Sequence, residues 1–120
     1  MIYIILCSLL GVIIGIFVPV IPYEFAKYTA VAIIAAFDSV IGATTSVMKN
    51  KFDIKIFVSG FFINSIIAIM LTMLGESLDV DIFLAAIFVF ITRIFTNLSY
   101  IRREIISMLD EKKKEKEDLN

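Results

Sequence analysis

Four long apolar stretches, separated by three short polar breaks, make up most of the chain. Each stretch holds about the 20 residues that a helix needs to cross the hydrocarbon core of a bilayer. The stretches cover residues 2–20, 26–48, 54–74 and 82–100. Because the breaks between them are short, consecutive helices are expected to run antiparallel and to form two hairpins. The pattern predicts an all-α fold, a small polytopic membrane protein with four transmembrane helices.

The pattern changes after Tyr100, where polar residues become frequent. Apolar residues still recur at helical spacing, at Ile101, Ile105, Met108 and Leu109, while charged residues occupy the other positions. This alternation is typical of an amphipathic helix, which we expect at the cytoplasmic surface. The predicted organisation is a transmembrane domain over residues 1–100 and a charged tail over residues 101–120. Two roles remain open for the tail: an anchor to anionic lipid, which we favour, or a docking site for a partner.

The orientation follows from the basic residues, which are retained on the cytoplasmic side of a membrane. One group flanks the second break and another follows the fourth stretch. The basic flank consists of Lys49, Lys51, Lys55, Arg102 and Arg103. Both groups fall on the same side of a four-helix arrangement, so both termini are predicted to be cytoplasmic. The third break holds acidic residues and no basic ones, as expected of a segment on the outer side.

The composition supports a membrane location and excludes several kinds of chemistry. Apolar residues make up 60% of the 120 positions, well above the share of about 45–50% in soluble domains. The chain has no His or Trp and a single cysteine, Cys7, so the usual ligands for zinc or haem are missing and we expect no metal and no cofactor. The tail mixes acidic residues with its lysines, which argues against nucleic acid as a partner.

Polar side chains within the stretches are the candidate functional residues, because a charge near the bilayer centre costs about 2.5–3.5 kcal/mol. Four positions qualify: Asp38, Asn64, Arg93 and Asn97. Counted along each helix from its cytoplasmic end, Asp38, Asn64 and Arg93 lie at similar depth. We therefore expect Asp38 and Arg93 to form an ion pair, with Asn64 as an uncharged hydrogen-bonding partner. The pair is either a structural link between helices, which we favour, or part of an ion or proton path.

Small residues recur along three of the stretches and predict close helix packing. The glycines among them are Gly11, Gly15, Gly42 and Gly60. Small residues let helix backbones approach closely in lipid. Packing within the chain is the favoured interpretation, and packing between copies in a homo-oligomer is the alternative.

The sequence shows no arrangement typical of an enzyme: no nucleophile with a base, no phosphate-binding loop and no paired carboxylates. We therefore predict a non-enzymatic scaffold or accessory subunit of the cell envelope. Such a subunit would contact the lipid bilayer and a membrane or cytoplasmic protein. The alternative is a small oligomeric pore of the holin kind or a transporter component, since holins also combine few apolar helices with a charged C-terminal tail.

Several short motifs together resemble a known family. They are AAFDSVIG at residues 35–42, SGFFIN at 59–64, VDIFLA at 80–85, RIFTN at 93–97 and IRR at 101–103. The chain resembles the bacterial small basic protein family over about residues 9–105. The resemblance implies a multi-pass inner-membrane protein of Gram-positive and related bacteria, of unknown activity, often encoded beside cell-division and peptidoglycan genes. This chain departs from the family name, because its isoelectric point is about 5.3.

Overall fold

The protein is all-α in a computed structural model that describes residues 2–120. Residue 1, part of the first predicted domain, lies outside the described residues. The described part contains four α-helices: α1 (Ile2–Phe17), α2 (Ala26–Met48), α3 (Ile54–Ser77) and α4 (Ile82–Asp118), with a 3-10 turn at Tyr23–Phe25 before α2. The molecule is elongated, with extents of 66 × 31 × 25 Å. Helices α2, α3 and α4 are each long and apolar enough to cross a membrane.

The first helix is shorter than the expected span of residues 2–20. α1 has 16 residues, which is about 24 Å of helix, and the hydrocarbon core is about 30 Å thick. The helix ends at Phe17 because Pro19 has no backbone N–H and disfavours helical geometry at the residue before it. Among the described residues, no Cα atom of α1 lies within 8 Å of one in another helix. Whether α1 crosses the membrane stays a prediction.

The turn between α2 and α3 is stabilised by local hydrogen bonds. Asn50 adopts a left-handed conformation with φ of 55°, and the following N–H of Lys51 donates to the Ser46 carbonyl at 2.9 Å. This is the Schellman arrangement that ends many helices. Asp53 then caps α3, its Oδ1 accepting from the N–H groups of Lys55 at 2.8 Å and Ile56 at 3.3 Å.

The turn between α3 and α4 also has a left-handed residue after the helix, and neighbouring atoms lie closer to the backbone there. Asp79 is left-handed with φ of 53°, and the Val80 N–H donates to the Gly75 carbonyl at 2.9 Å. A Cβ atom added to Gly75 would lie 2.6 Å from the Val80 carbonyl oxygen and 2.9 Å from the Ile82 Cβ. Glycine is therefore needed at this position to let the chain fold back so tightly.

α2, α3 and α4 pack against one another, but unevenly along their length. The buried apolar core consists of Val31, Ala35, Ala68 and Phe90. These residues lie in the half of the three-helix bundle nearest the α3–α4 turn, which we name the packed half. The other half, nearest the α2–α3 turn, we name the open half, because polar residues and a cavity replace the apolar core there.

α4 is one continuous helix of 37 residues. It is about 55 Å long, and residues 82–118 contain no proline or glycine. The expected fourth span and the expected tail helix therefore form a single element with no break at Tyr100. The amphipathic character of residues 101–118 and their place at a membrane surface stay predictions.

Candidate functional site

The four polar residues singled out from the sequence lie together in the open half of the bundle. Asp38 comes from α2, Asn64 from α3, and Arg93 and Asn97 from α4. All four line one cavity of about 330 Å³. The cavity extends from their level to the α2–α3 turn, where Lys51 and Asp53 also line it. We name it the polar cavity.

Arg93 and Asp38 are in contact across α4 and α2. Arg93 Nη2 lies 3.2 Å from Asp38 Oδ2. The Asp38 side chain is fully buried, whereas 52% of the Arg93 side chain is exposed. Neither Asp38 carboxylate oxygen accepts a hydrogen bond from a described residue, so the contact is an ion pair, and Arg93 also lines the cavity. Asp38 therefore lies beneath Arg93 and is shielded by it.

The two asparagines leave further hydrogen-bonding capacity in the cavity wall. Within residues 2–120, neither Asn64 nor Asn97 forms a hydrogen bond to another side chain or to the backbone through its amide. The hydroxyl of Ser39, beside Asp38, is likewise buried without a partner in the described chain. An unsatisfied polar group in a low-dielectric region costs about 1–3 kcal/mol. The wall is thus suited to a polar occupant or to water.

The basic flank lies around the same end of the bundle, although only part of it lines the cavity. Lys51 is at the mouth, and the Lys49 ammonium lies 4.5 Å from the centre of the Tyr100 ring. This cation–π contact joins α2 to α4 at the level where α4 leaves the bundle. Lys55 is exposed at the start of α3, and Arg102 and Arg103 are exposed on α4.

The four glycines predicted to pack helices closely have different surroundings. A Cβ atom on Gly42 would lie 3.9 Å from the Asn97 Nδ2, an ordinary van der Waals distance, so Gly42 lies where α2 faces α4 but leaves room for a methyl group. At Gly11, Gly15 and Gly60 a Cβ atom would meet nothing within 4 Å. These three positions face open space, because α1 stands apart from the other helices and Gly60 faces the polar cavity. Close packing at these glycines, within the chain or between copies in a homo-oligomer, stays a prediction.

A second, apolar cavity lies between α1 and the bundle and was not predicted. It has a volume of about 670 Å³, and we name it the apolar groove. Gly11 and Val12 of α1 line one side, and Phe37 of α2 lies opposite. Phe57 and Phe61 of α3 line both the apolar groove and the polar cavity. Sequence reasoning missed them because apolar residues surround both on α3, so no change of pattern marks them.

The opposite end of the bundle carries polar contacts that the sequence did not single out. Tyr28 donates a hydrogen bond to the Glu76 carboxylate, and Lys27 forms an exposed ion pair with Asp81 at 3.9 Å. Both contacts join the start of α2 to the α3–α4 turn. The signal available in the sequence was the basic Lys27 near the start of the second stretch and the acidic residues of the third break.

The side chains around the polar cavity can bind a polar group through hydrogen bonds and charge. In the described part of the chain, no cluster of three or more Cys, Asp or Glu is placed to hold a metal ion. The polar cavity offers amides, a guanidinium and a buried carboxylate, and the hydroxyl of Ser39 has no base beside it other than the Arg93-paired Asp38.

Comparison with known proteins gives the family. A family model described as "Protein of unknown function (DUF1290)" matches residues 21–106. The chain belongs to this family. It is also 40% identical over 111 residues to the "Small basic protein" of Bacillus subtilis, covering 92% of both chains. The resemblance read from the motifs is therefore confirmed.

More distant relatives carry no functional name. An uncharacterised protein of Mycobacterium tuberculosis is 34% identical over 98 residues, which is 79% of this chain and 81% of that protein. An uncharacterised protein of Mycobacterium bovis matches to the same extent. No solved structure matches the chain. The matched region of the family model contains α2, α3 and residues 82–106 of α4, and therefore the whole polar cavity.

Proposed function

We propose that the protein is a non-enzymatic scaffold or accessory subunit of the bacterial cell envelope. In this proposal α2, α3 and α4 cross the cell membrane, both termini are cytoplasmic, and α4 presents a charged helix to a partner at the cytoplasmic surface. The envelope location and any link with cell division rest on the resemblance to small basic proteins alone.

The continuity of α4 supports this proposal most strongly. The helix is about 25 Å longer than a hydrocarbon core that it would cross. Its contact with Lys49 at Tyr100 marks where the bundle ends, and residues 101–118 continue from there without a break in the helix. A straight extension projects away from the membrane, whereas a surface anchor would have to turn into the membrane plane. We name residues 101–118 the stalk.

The stalk surface is suited to a protein partner. Ile105 and Leu109 are 45% and 60% exposed, and no other helix of the described chain covers them. Lysines and acidic residues are mixed over residues 110–118. A helix with one apolar stripe and mixed charges is recognised by helix-in-groove or coiled-coil docking.

Crosslinking in cells tests the proposal. The protein carries an N-terminal tag, is expressed at its native level, and is compared with a variant lacking residues 101–120 and with Ser107→Pro. Proline at this exposed position removes the N–H that bonds one turn back and bends the stalk, while Ser107→Ala is the matched control. We expect one reproducible envelope protein to be crosslinked to the wild type and to Ser107→Ala, and to be lost from the other two.

Recovery of self-crosslinked oligomers alone would overturn the scaffold proposal and favour the alternative, an oligomeric pore or transporter component. The polar cavity is the observation that favours this alternative. Within one chain, however, the cavity is closed toward the packed half by Val31, Ala35 and Phe90. A pore would therefore have to form between copies. Ion leak through liposomes containing the wild type, absent with Asp38→Asn, is the measurement that would support it.

A further inference from the structure

The polar cavity and the apolar groove adjoin each other across two shared side chains, Phe57 and Phe61. One space is lined by charged and amide groups, and the other almost entirely by apolar ones. An occupant that fills both must be amphiphilic. We propose that the two spaces together form a binding site for a membrane phospholipid, with its phosphate and ester oxygens in the polar cavity and an acyl chain in the apolar groove.

The charges of the polar cavity are suited to a phosphate. The cavity is lined by two carboxylates and two cations, and three of these four residues already have partners: Asp38 and Arg93 pair with each other, and Asp53 accepts two backbone N–H groups at the start of α3. Lys51 makes no ion pair with any described residue, and Arg93 is half exposed. Lys51 is therefore the cation at the mouth without an ion-pair partner among the described residues, and together with the exposed part of Arg93 it can donate hydrogen bonds to a phosphate. Basic pockets between membrane helices bind lipid head groups in this way.

The donors are also placed in the order that a phospholipid requires. Lys51 lies at the α2–α3 turn, at the level expected of lipid phosphates. Arg93, Asn64 and Asn97 lie deeper in the same cavity, where the ester oxygens of a lipid can accept hydrogen bonds from them. Phe57 and Phe61 then separate this region from the apolar groove, which holds space for a hydrocarbon chain. Water alone would satisfy the polar cavity but would leave the apolar groove unfilled.

The site extends beyond the proposed scaffold role, and it requires only that α2–α4 lie in a membrane. Its assignment explains why α1 stands away from the bundle. The small residues Cys7, Ser8 and Gly11 line the apolar groove, and no Cα atom of α1 lies within 8 Å of one in α2 or α3. A lipid chain between them would complete the packing that the chain by itself leaves open.

Native mass spectrometry of the purified full-length protein tests the proposal. The protein is delipidated in mild detergent and titrated with phosphatidylglycerol, with diacylglycerol, which lacks the phosphate, and with glycerol phosphate, which lacks the chains. We expect one phosphatidylglycerol to be retained, with at least about ten-fold weaker retention of the other two, since each lacks one of the two contact classes. Equal retention of phosphatidylglycerol and diacylglycerol would overturn the phosphate assignment, and equal binding of glycerol phosphate would overturn the lipid assignment.

Space-filling variants test the location of the site. Leucine at Gly60 fills the polar cavity and leucine at Gly11 fills the apolar groove, and neither meets an atom within 4 Å at the new Cβ. Ser59→Leu and Gly15→Leu are matched controls on the same two helices that line neither space. We expect about ten-fold weaker retention of phosphatidylglycerol in Gly60→Leu and Gly11→Leu only. Equal effects in variants and controls would place the lipid elsewhere.

A charge variant separates specific binding from general attraction to anionic lipid. Lys51→Gln removes the cation at the mouth, and Lys55→Gln removes an exposed cation four residues away that does not line the cavity. We expect Lys51→Gln to weaken retention of phosphatidylglycerol and Lys55→Gln to leave it unchanged. Circular dichroism of every variant confirms that helix content is retained. A similar loss in both variants would show non-specific electrostatic binding and overturn the proposed site.

Discussion

Arg93 lies 3.2 Å from Asp38, yet the two side chains have different surroundings, since Asp38 is fully buried and Arg93 is half exposed. Removing Arg93 and removing Asp38 are therefore expected to lower the free energy of unfolding by different amounts. Arg93→Ala leaves a buried carboxylate without a counter-ion, which costs about 3–5 kcal/mol. Asp38→Ala leaves an arginine that water or a lipid can still solvate, so we expect it to cost about half as much. Unfolding in mixed micelles, followed by circular dichroism, measures both.

The exchange of the two charges tests whether they act as a pair. The double variant Asp38→Arg and Arg93→Asp restores opposite charges across α2 and α4, so it should recover part of the free energy of unfolding lost by Asp38→Arg alone. A double variant as unstable as the sum of its two single variants would show that the contact contributes no coupling energy.

Gly75 is expected to be the least replaceable glycine in the chain. In Gly75→Ala the new methyl group meets the Val80 carbonyl at 2.6 Å, and relieving that overlap should destabilise the protein by about 1–3 kcal/mol. Gly15→Ala, where a Cβ atom meets nothing within 4 Å, is the control and should be neutral or slightly stabilising. Equal stability of the two variants would contradict the tight α3–α4 turn.

Asp79 is the left-handed residue that follows α3, and replacing it with glycine is expected to stabilise the protein. Asp79 has φ of 53°, a conformation that costs L-residues about 1–2 kcal/mol and costs glycine little. Asp79→Gly should therefore raise the unfolding midpoint, and Asp79→Val should lower it. Thermal melts of both variants measure the difference. A stabilising valine would show that the turn has another geometry.

Membrane topology is tested by labelling single cysteines with a membrane-impermeant maleimide. In a Cys7→Ser background, Lys51→Cys reports the α2–α3 turn and Ser77→Cys the α3–α4 turn. Both positions are exposed and lie at opposite ends of α3. We expect Ser77→Cys to react in intact cells and Lys51→Cys only after permeabilisation. The reverse result would invert the proposed orientation.

Part of this architecture was predictable from apolar run length and polar breaks. The second stretch matches α2 at both ends, and the third begins where α3 begins. The convergence of Asp38 and Arg93 followed from counting residues along each helix from a common side. α3 extends to Ser77 because the Schellman turn incorporates Gly75 and Glu76, which a count of polar residues assigns to the break.

Other features were not predictable, because they depend on contacts between elements. Residues 2–20 are as apolar as the other stretches, so nothing in them shows that α1 stands apart. The glycine spacing at Gly11 and Gly15 is compatible with a packed seam and with an open groove. The shared position of Phe57 and Phe61 between two cavities depends on how α3 is rotated, which a uniformly apolar helix does not encode in its pattern.

The three-helix bundle has a buried apolar core in one half and the polar cavity in the other. The buried apolar side chains lie in the packed half, so separating the helices there would expose the core. Near the α2–α3 turn the helices enclose the polar cavity instead, so we expect a change in their spacing to cost less there. We therefore expect the bundle to stay closed in the packed half and to open first in the open half, on the side from which the stalk departs.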